Sequence, residues 1–167
     1  RVRCRAKLGM LSPNGPDDAY NYVATSTVAS VTRAKCVAST THGNVTVYVA
    51  SDAGPVSQPD VDTILAAVTK RATPLCVTPS VQSAVAKTVT VQYNLWIYQT
   101  VGDTEANIKT AVATALAKMF SLRPIGGDVL TTNGAGALYL SLISRTIEAV
   151  YPNHAYRVQL VSPTADV

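Results

Sequence analysis

The chain has 167 residues, of which 47% are apolar and 14% charged, and its formal net charge is +4. A chain of this length forms one ordinary domain or two small packed ones. Its apolar runs are far shorter than the ~20 residues that span a membrane, which favours a soluble globular protein. The basic excess lies in Arg1, Arg3, Arg5 and Lys7, leaving ten basic and ten acidic residues beyond them. The body of the chain therefore lacks the basic face that phosphate-driven binding of nucleic acid requires.

The low charge is the most informative feature of the composition. About 25% of residues are charged in typical soluble domains, whereas this chain has 14%. Small and β-branched side chains take the place of the missing charges. Surfaces that partner proteins cover are depleted in charge in this way. A compact domain with a weakly charged exterior is the other interpretation, and composition alone does not separate the two.

The cysteines indicate neither a disulfide framework nor a metal site. Cys4, Cys36 and Cys76 are odd in number and far apart, without a C-x-x-C pair. A reducing cytoplasm is therefore the expected compartment. Cys36 and His42 supply two ligands where a tetrahedral site needs four. We expect no metal and no other cofactor.

The first half of the chain, residues 1–80, predicts a small α+β subdomain preceded by the basic leader. Its order is helix, strand, strand, helix, strand. The predicted elements are a helix that starts at Pro16 after a cap at Asn14 or Gly15 and ends near Thr27, a strand over 31–38, a turn over 41–44, a second strand through Val45, Val47 and Val49, a helix introduced by Ser57 and Asp60 in a pattern resembling a capping box, and a short edge or linking strand in "TPLCVTP".

The second half, residues 81–167, predicts another α+β subdomain, ordered strand, helix, helix, strand. The overall expectation is an α+β fold of two small subdomains with helices packed on one face of each sheet. The predicted elements are a long strand over 85–98 with Val85, Val89, Val91, Tyr93, Leu95 and Ile97 on its buried face, a helix capped by Asp103 or Thr104 and ending at Phe120, a helix over 134–150 with Leu138, Leu142, Ile143 and Ile147 inward, and a strand over 155–161 alternating through Tyr156, Val158 and Leu160.

Residues that could perform chemistry are scattered and have simpler explanations. The "PIGGD" stretch lacks the Lys-Ser/Thr pair of a phosphate loop, and Asp128 would repel phosphate, so a turn is predicted. The carboxylate pairs Asp17/Asp18 and Asp60/Asp62 fall in first turns of helices, where the helix dipole favours negative charge. An enzyme would need a cleft that unites Asp128 with His154. We therefore predict no catalytic residues.

Trp96 and Tyr98 are the candidate interface residues. Both project from the polar-leaning face of the long predicted strand. Exposed aromatic side chains of this kind dominate protein interfaces. Packing against the other subdomain is the alternative. Stacking on nucleic acid is disfavoured, because Lys87 is the only basic residue on that strand.

The order of several segments resembles the baseplate J-like family, wedge proteins of contractile phage tails and related injection machines. The resemblance covers about Leu8 to Asp166 and is carried by structural motifs without a catalytic residue. Family members are usually about twice this long, so the chain resembles their C-terminal part. The segments are "SPNGPDDAYNYVATS", "GNVTVYVAS", "DVDTILAAVTKRATPLCVTPSV", "KTVTVQYNLWIY", "RPIGGD" and "VQLVSP".

The resemblance implies a non-enzymatic structural subunit of a virion, located in the tail baseplate and assembled in the bacterial host cytoplasm. Its expected partners are copies of itself and other wedge subunits, which would meet strand edges and the helix-free sheet face. No small-molecule substrate and no membrane are implied. The alternative from another class is a small binding module, in which the basic leader with Trp96 and Tyr98 holds nucleic acid or a glycan.

Overall fold

A computed structural model describes residues 17–39, 43–98, 102–129 and 136–167. The described residues form an α+β fold with four helices and two small sheets, as predicted. The chain divides into two compact units between Ala86 and Lys87, whereas the sequence predicted a boundary after residue 80. The predicted cap at Asn14 or Gly15, the start at Pro16 and the first two residues of the 41–44 turn lie outside the described residues.

Unit 1 has the predicted order of elements, helix, strand, strand, helix, strand. The first helix ends at Thr27 and the first strand spans the predicted residues. Asp17 and Asp18 occupy the first turn of the first helix, where they complement its dipole. The elements are α1 (Asp17–Thr27), β1 (Val31–Ala38), β2 (Asn44–Ser51), α2 (Gln58–Arg71) and β3 (Thr78–Ser83).

The sheet of unit 1 has the strand order β1-β2-β3. β1 and β2 are antiparallel, whereas β3 runs parallel to β2 after the α2 crossover. Alternate residues of the sheet, among them Val47 and Val49, point toward the helices. The buried core of this unit consists of Ala19, Tyr20, Val23, Ala24, Val31, Val47, Val49, Val61, Ile64, Val68, Ala72 and Val81.

The strand predicted over residues 73–79 begins later than the sequence suggested. Cys76 has a positive φ of 72°, a left-handed conformation that no strand residue adopts. The chain therefore turns at Cys76, and β3 starts only at Thr78. Pro79 is tolerated because β3 is an edge strand, as predicted. The predicted capping box is also modified, since the Ser57 hydroxyl donates to the Asp60 carboxylate (2.8 Å) and makes no bond to the helix backbone.

The described residues of unit 2 form two strands and two helices in the predicted order. The elements are β4 (Gln92–Ile97), α3 (Glu105–Ser121), α4 (Leu140–Glu148) and β5 (Ala155–Ser162). The Thr104 side chain caps α3 by accepting a hydrogen bond from the Asn107 N–H (3.4 Å). β4 and β5 form an antiparallel two-stranded sheet. Two strands alone are marginal in water, so the helices must cover one face of this sheet.

The buried core of unit 2 is small. Tyr93 and Leu95 of β4 and Val158 and Leu160 of β5 pack against it from the sheet. The fully or nearly buried members are Val112, Leu116, Met119, Leu138, Ile143 and Ile147.

Two boundaries predicted for unit 2 were wrong. β4 starts at Gln92, although the alternating pattern predicted a strand from residue 85. Val85 was expected to be buried but is 94% exposed. The helix predicted over 134–150 begins at Leu140. Leu138 is buried as predicted, but it lies outside the helix, where its backbone N–H and C=O groups exchange hydrogen bonds with those of Val167 (2.7 and 3.1 Å).

The "PIGGD" segment is a turn, as predicted. Gly127 donates to the Pro124 carbonyl (3.1 Å), and Gly126 and Gly127 have φ of 83° and 82°. A Cβ on Gly127 would lie 2.7 Å from the backbone nitrogen of Ala137. Asp128 then forms an isolated bridge with Ala137. The glycines allow this close approach of two backbone segments.

Candidate protein-interaction surface

Trp96 and Tyr98 lie at the C-terminal end of β4, on the face of the sheet that points away from the core. Along β4 the odd-numbered residues are partly buried and the even-numbered ones are exposed. Trp96 is 43% exposed and Tyr98 54% exposed. Both aromatic side chains are therefore accessible on unit 2.

Two residues of β5 contact Trp96 and Tyr98. The Tyr156 ring meets the Tyr98 ring edge to face, with 5.9 Å between centroids and 70° between planes. The Arg157 guanidinium lies over Trp96, 5.3 Å from the ring centroid. We call Trp96, Tyr98, Tyr156 and Arg157 the aromatic surface.

Tyr156 was missed because the sequence pattern placed it inward with Val158 and Leu160, and that placement was wrong. Trp96 pairs with Arg157, but the next residue, Ile97, pairs with Ala155. Tyr156 is thus an extra residue on β5, a β-bulge that turns its side chain outward. It is 72% exposed. A bulge depends on the register between two distant strands, so alternation along β5 alone could not reveal it.

The aromatic surface has the composition of an interface centre. Tyr, Trp and Arg are the residue types that contribute most to binding energy at protein interfaces. Uncharged polar residues continue the same face, with Asn94 opposite Gln159. The rings are partly fixed by their mutual contacts, which lowers the entropy that a partner would have to remove.

A groove runs along the side of β4 that does not pair with β5. Its volume is about 840 Å³, and both β4 and the first turns of α3 line it. Among the described residues of its lining, only Glu105 and Lys109 are charged, and they form an ion pair with each other. Hydrogen bonding to Lys109 lowers the pKa of Glu105, and the same bond raises that of Lys109. The lining consists of Val91, Gln92, Tyr93, Asn94, Leu95, Trp96, Ile97, Glu105, Ile108 and Lys109.

A second, smaller groove adjoins the aromatic surface. It has a volume of about 480 Å³ and shares Tyr156 and Arg157 with that surface. Arg145 and Glu148 of α4 contribute charges of opposite sign to its lining. This polar groove is suited to the rim of an interface, where charged residues are accommodated.

The residues considered for chemistry are not assembled into a reactive site in the described parts of the chain. Asp128 accepts a hydrogen bond from the Arg123 guanidinium (2.8 Å). His154 lies in the turn before β5, where its carbonyl accepts from the Tyr98 N–H (3.0 Å). Neither residue lines the grooves described above.

Cys36 lies in unit 1, half-buried in β1, and His42, which was considered with it as a metal ligand and rejected, is outside the described residues. Burial, together with the Asp17 carboxylate, raises the pKa of the Cys36 thiol to about 12. A protonated thiol is a poor nucleophile and a poor metal ligand. Among the described residues, no three His, Cys, Asp or Glu side chains cluster as metal ligands would.

None of the described helices combines the length and the apolar character needed to cross a membrane. No protein-family model matches the chain, and no match was found among curated proteins.

Proposed function

We propose that this chain is a structural subunit of a contractile-tail baseplate wedge, and that it acts through contacts with neighbouring subunits. The observation that carries the proposal is the aromatic surface, three exposed rings and an arginine on the sheet face that the described helices of unit 2 leave uncovered. Side chains of these types form the centres of protein interfaces.

Two features of the sequence support the same role. Only 14% of the residues are charged, which matches surfaces that partners cover. The segments from "SPNGPDDAYNYVATS" to "VQLVSP" resemble the baseplate J-like family in type and order. In this proposal the protein is located in the virion baseplate after assembly in the host cytoplasm, and it binds copies of itself and other wedge subunits.

Deletion of the gene from the genome that encodes it tests the function. We expect particles that lack baseplates, visible by negative-stain electron microscopy, and restoration by the wild-type gene. The triple variant Trp96→Ala, Tyr98→Ala, Tyr156→Ala should fail to restore baseplates. Leu122→Ala is the matched control, because Leu122 is an exposed apolar residue (67%) of the same unit outside the aromatic surface. Normal particles after the deletion would contradict the proposal.

The aromatic surface also permits a second function, binding of nucleic acid or a glycan by ring stacking. Arg157 is the only basic member of that surface, so electrostatic attraction to phosphate would be weak there. Binding of the full chain to single-stranded DNA, lost on adding salt and lost in the triple variant, would favour this second function over the first.

A further inference from the structure

The described sheets have four edge strands, and three of them carry a feature that prevents pairing with another chain. β1 carries Arg33 and Lys35, and β3 carries Pro79. Charged side chains and proline are two of the common means by which proteins protect an exposed strand edge.

β5 is protected by bulges. Its extra residues are Val161, between the partners of Gln92 and Tyr93, and Tyr156, between the partners of Trp96 and Ile97. Bulges bend and twist a strand so that its outer edge no longer offers a regular row of hydrogen-bonding groups. Both extra residues lie on β5, so β4 itself remains regular. β4 contains no charged residue, proline or glycine.

The open edge of β4 can be assigned to particular residues. The Tyr98 N–H donates to the His154 carbonyl, and the Ser162 hydroxyl donates to the Thr90 carbonyl, so even-numbered residues direct their backbone toward β5. Backbone groups alternate in direction along a strand. The N–H and C=O groups of Tyr93, Leu95 and Ile97 therefore point to the open edge.

The helices of unit 2 extend beyond the β4 edge of its sheet. Helices pack about 8–10 Å apart and strands about 4.7–4.9 Å apart, so two adjacent helices cover about four strands. In unit 2, α4 packs on β5 and α3 packs beside α4, but the described part of the chain supplies only two strands to the sheet. The groove lined by β4 and by Ile108 of α3 is the space that this mismatch leaves.

We propose that an extended segment of a neighbouring subunit adds to β4 as a third strand, with its inward side chains beneath the first turns of α3. The charge of the groove indicates the chemistry of the segment. Glu105 and Lys109 neutralise each other, and the other described residues of the lining are uncharged. The segment is therefore uncharged, with apolar side chains at alternate positions facing α3 and polar ones continuing the outer face.

This inference names the mode of contact for the proposed function and relies on that function only for the partner's identity. Its test uses the isolated full chain with a synthetic peptide, so the two can fail separately. The probe is the capped peptide TVTVQYNL, an uncharged alternating sequence copied from residues 88–95. A peptide of the same composition without alternation, TTQNVVYL, is the control.

Amide hydrogen exchange measured by NMR gives the readout. Without peptide, the amides of Tyr93, Leu95 and Ile97 should exchange much faster than those of Asn94 and Trp96. Saturating TVTVQYNL should slow the three odd-numbered amides by about tenfold or more, because exchange then requires opening of new hydrogen bonds. TTQNVVYL should leave them unchanged.

Two lysine variants of α3 locate the site. Ile108→Lys places a charge in the groove and should abolish the protection. Thr110→Lys, at an exposed position of the same helix outside the groove, should preserve it. Slow exchange of Asn94 and Trp96 in both variants shows that the sheet is intact.

Three results would overturn the inference: odd-numbered amides already as slow as even-numbered ones in the monomer, no effect of TVTVQYNL, or equal protection in both lysine variants. A concentration-dependent dimer in sedimentation, with the odd-numbered amides protected in the absence of peptide, would replace the extended segment with a second copy of the chain.

Discussion

Both units pack two helices on one face of a small sheet, but they differ in the number of strands and in the size of the buried core. Counted over the residues that the structure describes, unit 1 places two helices over three strands and buries twelve residues in its core. On the same count, unit 2 places two helices over two strands and buries six residues. The exposed tryptophan and tyrosines, Trp96, Tyr98 and Tyr156, all belong to unit 2. The unit with the smaller core thus presents the aromatic side chains, as expected of a unit completed by a partner.

Core truncation should distinguish the units most strongly. Ile147→Ala in unit 2 and Ile64→Ala in unit 1 both remove side chains of fully buried residues. Each should lower the free energy of unfolding by about 2–5 kcal/mol. Amide exchange should localise the effect, with faster exchange in α3, α4 and β5 for Ile147→Ala and in α1 and α2 for Ile64→Ala. Equal acceleration of amide exchange throughout the chain in both variants would show that the two units unfold together as one cooperative unit.

The glycine turn of unit 2 should be the next most sensitive feature. Gly127→Ala combines a positive φ of 82° with a Cβ position 2.7 Å from the Ala137 nitrogen. We expect destabilisation by roughly 2–4 kcal/mol, the sum of left-handed strain and backbone displacement. Gly102→Ala is the control, with φ of 71° and nothing within 4 Å of the added Cβ. Gly102→Ala should lower the free energy of unfolding, measured by urea titration, by only about 1–2 kcal/mol.

Alkaline pH should weaken unit 1 through Cys36. Its thiol has a folded-state pKa of about 12 against an ordinary value of 9.0, raised by burial and by Asp17. Between these values the unfolded chain loses a proton that the folded chain retains, so the free energy of unfolding falls as pH rises. Burial also raises the pKa of Tyr20, so this residue likewise lowers the free energy of unfolding as pH rises. Cys36→Ala should make the decline with pH shallower in urea titrations, and an unchanged slope would contradict this prediction.

The aromatic surface should contribute least to stability. Trp96→Ala removes the contact with Arg157, worth about 0.5–1 kcal/mol at an exposed site. Tyr156→Ala removes the edge-to-face contact with Tyr98, worth about 0.5–1.5 kcal/mol. Thermal unfolding should therefore change little in either variant. A loss as large as that of Ile147→Ala would mean that these rings serve the fold and not a partner.

Local patterns predicted much of this fold. The limits of β1, the end of α1, the cap at Thr104 and the order of elements in both units follow from turn residues, caps and periodicity. Exposure of Trp96 and Tyr98 follows from alternation along one strand. Each of these features depends on residues close together in the sequence.

The features that the sequence did not predict depend on distant partners. β4 is shorter than its alternating pattern because a strand extends only as far as its ladder with β5. Val89 and Val91 still pack against the core outside the strand. Tyr156 points outward because of a bulge, and the open groove beside β4 exists because two helices cover more width than two strands. Register and layer width are properties of the assembled unit.

Oxidative footprinting by hydroxyl radicals tests most directly whether partners cover the aromatic surface. The isolated full chain is compared by mass spectrometry with the same chain in the particles to which the proposed function assigns it, with Leu75 of unit 1 (95% exposed) as the internal reference. The account predicts that oxidation of Trp96, Tyr98 and Tyr156 falls several-fold in the particle relative to Leu75. Oxidation of the three rings at the same rate in the particle as in the isolated chain would contradict it.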